Sequence, residues 1–231
     1  LPTYVAVIGS CLVYVAPGTV VSSVYAWPET AARLMALVWV LLLARVAESM
    51  NVRLMMAIGV LVGILPVLHG RFTLFIPITF LLFGWWFLTK QCSRAVLGIS
   101  GALVFVAYFV SYSLNTFVKT LVYTTSYDQE NRLLLRLFKP ELWTALVRTT
   151  AGQTWYLLAT SAGLVGIALM FMVANILAPS TEKKSRDPQT IAMIAILLGT
   201  ISILFTGGLQ LLYGRRADHL IYGRYVEVMV P

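Results

Sequence analysis

The sequence has 231 residues, of which 59% are hydrophobic and only 11% are charged. Soluble domains are about 45–50% apolar and about 25% charged, so this composition excludes a soluble enzyme and a disordered chain. Two cysteines cannot form the framework of a small disulfide-rich secreted domain. The composition therefore predicts an all-α polytopic membrane protein in which Cys11 and Cys92 are free thiols.

Apolar segments of near membrane-spanning length follow one another along the chain. A spanning helix needs about 20 mainly apolar residues. Seven segments approach this length: 2–24, 31–47, 53–68, 72–89, 95–112, 154–177 and 190–213. An eighth begins near residue 225, so we predict a transmembrane helix bundle of seven or eight spans that forms one domain, residues 1–231. Because the chain begins at Leu1 inside an apolar stretch and stops at Pro231 as another begins, we expect it to belong to a longer protein.

The predicted loop 113–153 is the longest connection between spans. Charged and bulky apolar residues alternate in the run 132–139, and Pro140-Glu141 is a favourable helix start. These features predict interfacial amphipathic helices that lie on the bilayer surface.

The lysines and arginines predict which side of the membrane each loop faces. One alternating set of short loops carries seven of them: Arg45, Arg53, Lys90, Arg94, Lys183, Lys184 and Arg186. The opposite set carries five: Arg33, Arg71, Arg215, Arg216 and Arg224. Because positive residues favour the cytoplasmic side, we predict that the first set is cytoplasmic and that the loop 113–153 is extracytoplasmic. Both histidines then lie outside, where we expect any chemistry.

The net charge of +8 fits an anionic bilayer surface or an anionic substrate better than nucleic acid. The sequence has no Walker A motif, no HExxH and no GxSxG. Membrane lipids are therefore the expected partners, and other membrane proteins are further candidates, whereas nucleic acid is not expected.

The tripeptide His69-Gly70-Arg71 lies in a tight turn between two predicted spans. Glycine allows the chain to reverse, and the planar guanidinium of arginine binds phosphate well. His69 and Arg71 are therefore candidate phosphate-binding residues. The alternative is an arginine that extends to the lipid headgroups beside an interfacial histidine.

The segment 213–225, YGRRADHLIYGRY, concentrates polar groups at the predicted outer edge of the membrane. Asp218 and His219 are candidates for acid–base chemistry. The candidates for binding a phosphate or stacking on a sugar are Arg215, Arg216, Tyr222 and Arg224. The alternative is a basic, aromatic boundary that anchors the end of a helix.

The polar run 127–131 is a weak candidate for a divalent-cation site. Asp128 and Glu130 supply carboxylate oxygens, which Ca²⁺ and Mg²⁺ prefer. The alternative is a solvated turn, and no cofactor is otherwise indicated.

Two glycine pairs predict close contact between helices. Gly59 and Gly63 form a GxxxG spacing in the third predicted span, and Gly207-Gly208 lie late in the seventh.

Three stretches carry a resemblance to a known family: LPVLHGRFTLFIPITFLL (65–82), AGQTWYLLATSAGLVGIAL (151–169) and RADHLIYGRY (216–225). They resemble actinobacterial polytopic membrane proteins of the GT-C glycosyltransferase type. The resemblance implies a transferase in the bacterial plasma membrane that uses a polyprenyl-phosphate-linked sugar at an outward-facing site in cell-envelope glycan assembly. It also implies an Asp or Glu base in the first outer loop. Gln153 lies at the start of the sixth predicted span on the same outer surface and is a candidate for shaping the sugar site.

The first visible outer turn contains Glu29 but is too short for that loop, so we expect the base to lie upstream of Leu1. Two alternatives stay open. One is a lipid or glycan flippase or permease with a polar path along six small residues: Thr19, Ser22, Ser100, Ser111, Thr160 and Ser161. The other is a non-catalytic membrane subunit.

Overall fold

The computed structural model describes residues 28–122, 134–161, 163–178 and 187–212. Within these ranges the chain is helical and contains no strand, which confirms the all-α class. The α-helices are α1 (Pro28–Ser49), α2 (Val52–Leu68), α3 (Phe75–Leu88), α4 (Arg94–Val122), α5 (Trp143–Thr160), α6 (Leu164–Leu177) and α7 (Pro188–Leu211). Short 3₁₀ segments occur at Gly70–Leu74, Leu134–Phe138 and Pro140–Leu142.

Three helical segments in the described ranges are long and apolar enough to cross a membrane: Gly70–Leu88, Arg94–Val118 and Pro188–Gln210. A fourth span results if the bent pair Pro140–Ala159 and Leu164–Leu177 counts as one. Val52–Leu68 is apolar but shorter, with 17 residues. These helices support the prediction of an integral membrane protein.

The sixth predicted span, 154–177, is wrong as a single helix. The structure ends α5 at Thr160 and begins α6 at Leu164, and the two segments are bent by 104°. Gly163 adopts a left-handed conformation, with φ of 80°, and its N–H donates to the Leu158 carbonyl over 2.7 Å. A glycine in this conformation ends a helix, and the continuous apolar run conceals the break.

The predicted loop 113–153 is also shorter than expected. Helix α4 continues to Val122, beyond the predicted end at residue 112, and α5 already begins at Trp143. Only the middle of the predicted loop connects these helices, and its described part consists of two 3₁₀ segments.

The core formed by α1, α2, α3 and α7 combines buried aliphatic residues with several large aromatic ones. The buried Trp39 ring of α1 lies 4.6 Å from the Phe75 ring, centroid to centroid. Its Nε1 donates to Thr79 Oγ1 over 2.9 Å, and Thr79 in turn donates to the Phe75 carbonyl. Because a buried indole N–H needs an acceptor, this pair fixes α1 against α3.

The predicted contact through Gly59 and Gly63 is confirmed, and the partner is α4. A Cβ added at Gly59 would lie 2.6 Å from the Ser100 carbonyl oxygen, and one at Gly63 would lie 2.5 Å from that of Val104. The two helices therefore pack backbone to backbone, as small residues allow. Residue numbers increase in the same direction along both helices, from the Gly59–Ser100 contact to the Gly63–Val104 contact. Helices α2 and α4 therefore run parallel.

This topology gives the bundle two ends. The starts of α2 and α4 share one end, which we call the Lys90 end, with Arg45, Arg53, Lys90 and Arg94. The end of α2 and the following 3₁₀ segment form the other, which we call the Arg71 end. The last turns of α7 also reach the Arg71 end, because Thr206 Oγ1 donates to the Arg71 carbonyl over 2.8 Å.

Candidate functional site

Arg71 is fully buried at the Arg71 end of the bundle, with 0% of its surface exposed. Its Nε donates to Gln210 Oε1 over 2.9 Å, and its carbonyl accepts from Thr206. Since a buried charge is costly unless it is hydrogen-bonded, these contacts are needed to hold the guanidinium in the protein. Arg71 does not extend to the surface, as the headgroup alternative required.

His69 shapes the turn that carries Arg71. Its Nδ1 accepts the Arg71 backbone N–H over 3.3 Å, so the imidazole caps the 3₁₀ segment Gly70–Leu74. The ring is half-buried and lies edge-on to Phe72, with centroids 6.3 Å apart. These contacts assign His69 a structural role in placing Arg71.

A second arginine meets the same end of α7. Arg136 Nη1 donates to the carbonyl oxygens of Leu209, over 2.7 Å, and Gln210, over 3.3 Å. The last carbonyls of a helix have no partner within it and carry negative charge, so a guanidinium stabilises them. Two arginines, 65 residues apart in sequence, therefore converge on the last turn of α7.

Gln153 contacts α7 at Gly207, next to the residues that Arg71 contacts. Its side chain is 1% exposed, and a Cβ added at Gly207 would lie 2.7 Å from its Oε1. Neither its amide oxygen nor its amide nitrogen has a hydrogen-bond partner among the residues that the structure describes. The absence of a side chain at Gly207 is thus what lets Gln153 lie between the helices.

Gly208 gives Thr150 the same space that Gly207 gives Gln153. A Cβ at Gly208 would overlap Thr150 Oγ1 and would lie 3.2 Å from Leu146 Cδ1. The prediction that Gly207-Gly208 allow close helix contact is therefore confirmed, and the partner helix is α5.

An open, mostly apolar groove of about 540 Å³ runs along α5 beside this contact. Its lining is Leu146, Val147, Thr150, Ala151, Thr154, Trp155, Leu158 and Phe205. At 1.5 Å per residue, the stretch of α5 in the groove is about 18 Å long. Its shape and apolar lining suit a hydrocarbon chain better than a polar ligand.

Most of the other predicted site residues lie outside the described part of the chain: Asp128, Glu130, Arg215, Arg216, Asp218, His219, Tyr222 and Arg224. Glu29 lies in the first turn of α1, but its side chain is also outside the described residues. Within the described ranges, no group of three or more His, Cys, Asp or Glu side chains is placed to hold a metal ion.

The described serines of the proposed permease path make local contacts. Ser100 is buried on α4, and its carbonyl lies against Gly59. Ser161 directly follows the last residue of α5, and its hydroxyl donates to the Leu158 carbonyl and accepts the Val165 N–H. Ser111 is half-buried on α4, whereas Thr19, Ser22 and the Thr160 side chain lie outside the described residues.

The sequence interpretation gave no site role to Arg136, Thr206 or Gln210. One signal was present, because Thr206 and Gln210 are polar residues spaced four apart in the last turns of an apolar helix. Residues at this spacing share one helix face. Arg136 had no such signal, since nothing in its local pattern indicated a contact with α7.

Comparison of the chain with protein-family models, with curated proteins and with solved structures finds no match.

Proposed function

We propose that the chain is an integral membrane glycosyltransferase-like protein that takes a polyprenyl-phosphate-linked sugar at the extracytoplasmic face. The proposal joins the resemblance of three sequence stretches to GT-C glycosyltransferases with the arrangement of residues at the Arg71 end. We further propose seven or eight spans in a bacterial plasma membrane, with the Arg71 end outside. The basic residues of the Lys90 end support this orientation.

The observation that carries the proposal is the meeting of two of these stretches on α7. Arg71 belongs to the stretch 65–82 and contacts Thr206 and Gln210, whereas Gln153 belongs to the stretch 151–169 and faces Gly207. The two stretches are distant in sequence, yet they contact neighbouring residues of one helix. The third stretch, 216–225, is separated from the end of α7 in the sequence by residues 212–215.

Sugar transfer requires a base for the acceptor hydroxyl and positively charged groups beside the departing lipid phosphate. The acceptor hydroxyl loses its proton to a carboxylate while its oxygen bonds to the anomeric carbon of the sugar. The bond from that carbon to the phosphate oxygen breaks, and its electron pair stays on the lipid phosphate. Guanidinium groups offset the charge that develops there.

We assign the charge-offsetting role to Arg215, Arg216 and Arg224, in the segment that α7 leads into. Arg71 and Arg136 contact the last turn of α7, and this segment follows that turn in the sequence. The apolar groove along α5 offers a surface for the polyprenyl chain. Within the sequence, the weak candidates for the base are the carboxylates of Asp218 and Glu29 and the imidazole of His219.

The test is sugar transfer by the full-length protein in membranes, with a polyprenyl-phosphate sugar donor. We expect Arg224→Gln to lower kcat/KM roughly a hundredfold, the typical cost of removing one group that stabilises developing charge. Arg148→Gln is the matched control, because Arg148 is exposed on α5 near the same end. It should retain full activity.

Full transfer by the Arg224→Gln variant would overturn the assigned phosphate site. Movement of the donor across the membrane with no glycosidic bond formed would instead identify a permease. A wild-type protein that neither transfers nor moves the sugar would contradict both.

A further inference from the structure

A second open cleft, lined by both apolar and basic residues, lies at the Lys90 end, opposite the site described above. It has a volume of about 520 Å³, and its lining is Phe87, Leu88, Lys90, Gln91, Cys92, Ser93 and Arg94. The segment Gly70–Leu88 is long and apolar enough to cross a membrane. The cleft therefore begins where this span ends, at the depth of the lipid headgroups.

The turn that forms the cleft has a defined conformation. Lys90 is left-handed, with φ of 58°, and the N–H groups of Lys90 and Gln91 donate to the carbonyls of Phe87 and Trp86. The Ser93 hydroxyl accepts the Val96 N–H at the start of α4. Glycine is the residue that best suits a left-handed helix end, and lysine adds a positive charge at this position instead.

The two charged residues that line the cleft are both basic. Lys90 and Arg94 are exposed, and the lining contains no acidic side chain. The Arg94 guanidinium carbon lies 5.9 Å from the centre of the Phe87 ring, so the cation is held at the cleft wall. Leu88, which is 79% exposed, forms an apolar edge beside these charges.

Burial raises the pKa of the Cys92 thiol above its ordinary value. The thiol therefore stays neutral at physiological pH and adds no negative charge to the cleft.

From this arrangement we infer that the cleft binds the phosphate of an anionic phospholipid in the adjacent leaflet. Lys90 and Arg94 contact the phosphate, and the apolar edge at Leu88 contacts the upper part of an acyl chain. A basic turn next to an apolar surface at the end of a span suits a lipid headgroup better than a soluble anion. This inference is independent of the proposed glycosyltransferase, because it uses the opposite end of the bundle.

The experiment is native mass spectrometry of the full chain after titration with phosphatidylglycerol or with phosphatidylcholine of the same acyl chains. Each Lys or Arg near an anionic lipid contributes about a fivefold gain in affinity. We therefore expect Arg94→Gln to bind phosphatidylglycerol about fivefold more weakly and phosphatidylcholine unchanged. Lys90→Gln should have a similar effect.

Arg53→Gln is the matched control. Arg53 is an exposed arginine in the first turn of α2 at the same end, but it does not line the cleft. The control should bind phosphatidylglycerol as the wild type does. An equal loss in the control, or equal affinity of the wild type for the two lipids, would overturn the inference. Inorganic phosphate that displaces phosphatidylglycerol at equal concentration would also overturn it, because the site would then recognise the free anion.

Discussion

The substitution Gly63→Ala tests the contact between α2 and α4. The added Cβ would lie 2.5 Å from the Val104 carbonyl oxygen, 2.8 Å from Ala107 Cβ and 2.9 Å from the Tyr108 backbone nitrogen. Carbon atoms pack best at about 3.5–4.0 Å, so the helices must separate by about 1 Å. Two of the three neighbours are backbone atoms, which cannot rotate away.

The matched control for this substitution is Gly84→Ala. A Cβ at Gly84, inside α3, meets nothing within 4 Å. Both variants gain the same helix propensity, about 1 kcal/mol, so this contribution cancels when the two are compared. The difference between their free energies of unfolding is then the cost of overpacking, about 1–3 kcal/mol.

The assay is thermal unfolding of both variants and the wild type in the same detergent. Each kcal/mol corresponds to a shift in Tm of about 2–4 °C for a chain of this size. We expect the Tm of the Gly84→Ala variant to equal or exceed that of the wild type. The Tm of the Gly63→Ala variant should lie several degrees below that of the Gly84→Ala control. Equal Tm values for the two variants would refute the close packing of α2 on α4.

Three further substitutions test other contacts by thermal unfolding. Gln210→Leu removes the acceptor of Arg71 Nε, and a hydrogen bond to a charged group is worth about 1.5–3 kcal/mol; an unchanged Tm would contradict the contact. Trp39→Phe removes the hydrogen bond to the Thr79 hydroxyl and should lower the free energy of unfolding by about 1 kcal/mol. An unchanged Tm would show that this hydrogen bond does not stabilise the fold. Asp187→Ala removes the N-terminal cap of α7 and should lower the free energy of unfolding by about 1 kcal/mol. Hydrogen bonds from the Thr190 side chain, and from backbone N–H groups, lower the pKa of Asp187 below its ordinary value of 3.8. The greater stability of the wild type relative to the Asp187→Ala variant is therefore fully present above pH 3.8. It is lost as the pH falls through the lower pKa that Asp187 has in the folded state. A constant difference from pH 7 to pH 2 would refute this role.

Composition and apolar run length were enough to predict the all-α class and most helix positions. Helix α2, Val52–Leu68, and helix α7, Pro188–Leu211, lie within two residues of the predicted spans 53–68 and 190–213. These boundaries have local signals, because Asn51 and Asp187 cap the two helices with their side chains.

The break between α5 and α6 had no comparable signal. Gly163 lies inside a run that is apolar on both sides, and a single glycine is tolerated within many helices. Its left-handed conformation is accompanied by a local hydrogen bond from its N–H to the Leu158 carbonyl, and the apolar pattern does not mark where this occurs. For the same reason, apolar run length alone predicted one span where the structure has a bend.

The candidate site was partly predictable. Arg71 and Gln153 stood out as polar residues at the edges of apolar segments, but their contacts with α7 depend on which helices are neighbours. Such pairings follow from the complementary surfaces of whole helices, including the gap at Gly207, and a single sequence does not encode them in a local pattern. Arg136 illustrates this limit, since its acceptors lie 73 and 74 residues away.

Photo-crosslinking shows whether the lipid-linked donor binds at the Arg71 end. A polyprenyl phosphate with a diazirine in its chain is irradiated with the full-length protein in nanodiscs, and the labelled peptides are identified. We predict labelling along α5, between Val147 and Leu158, that excess polyprenyl phosphate abolishes and polyprenol without phosphate does not. Labelling spread over the exposed face of α4, or equal competition by polyprenol, would contradict donor binding at the Arg71 end.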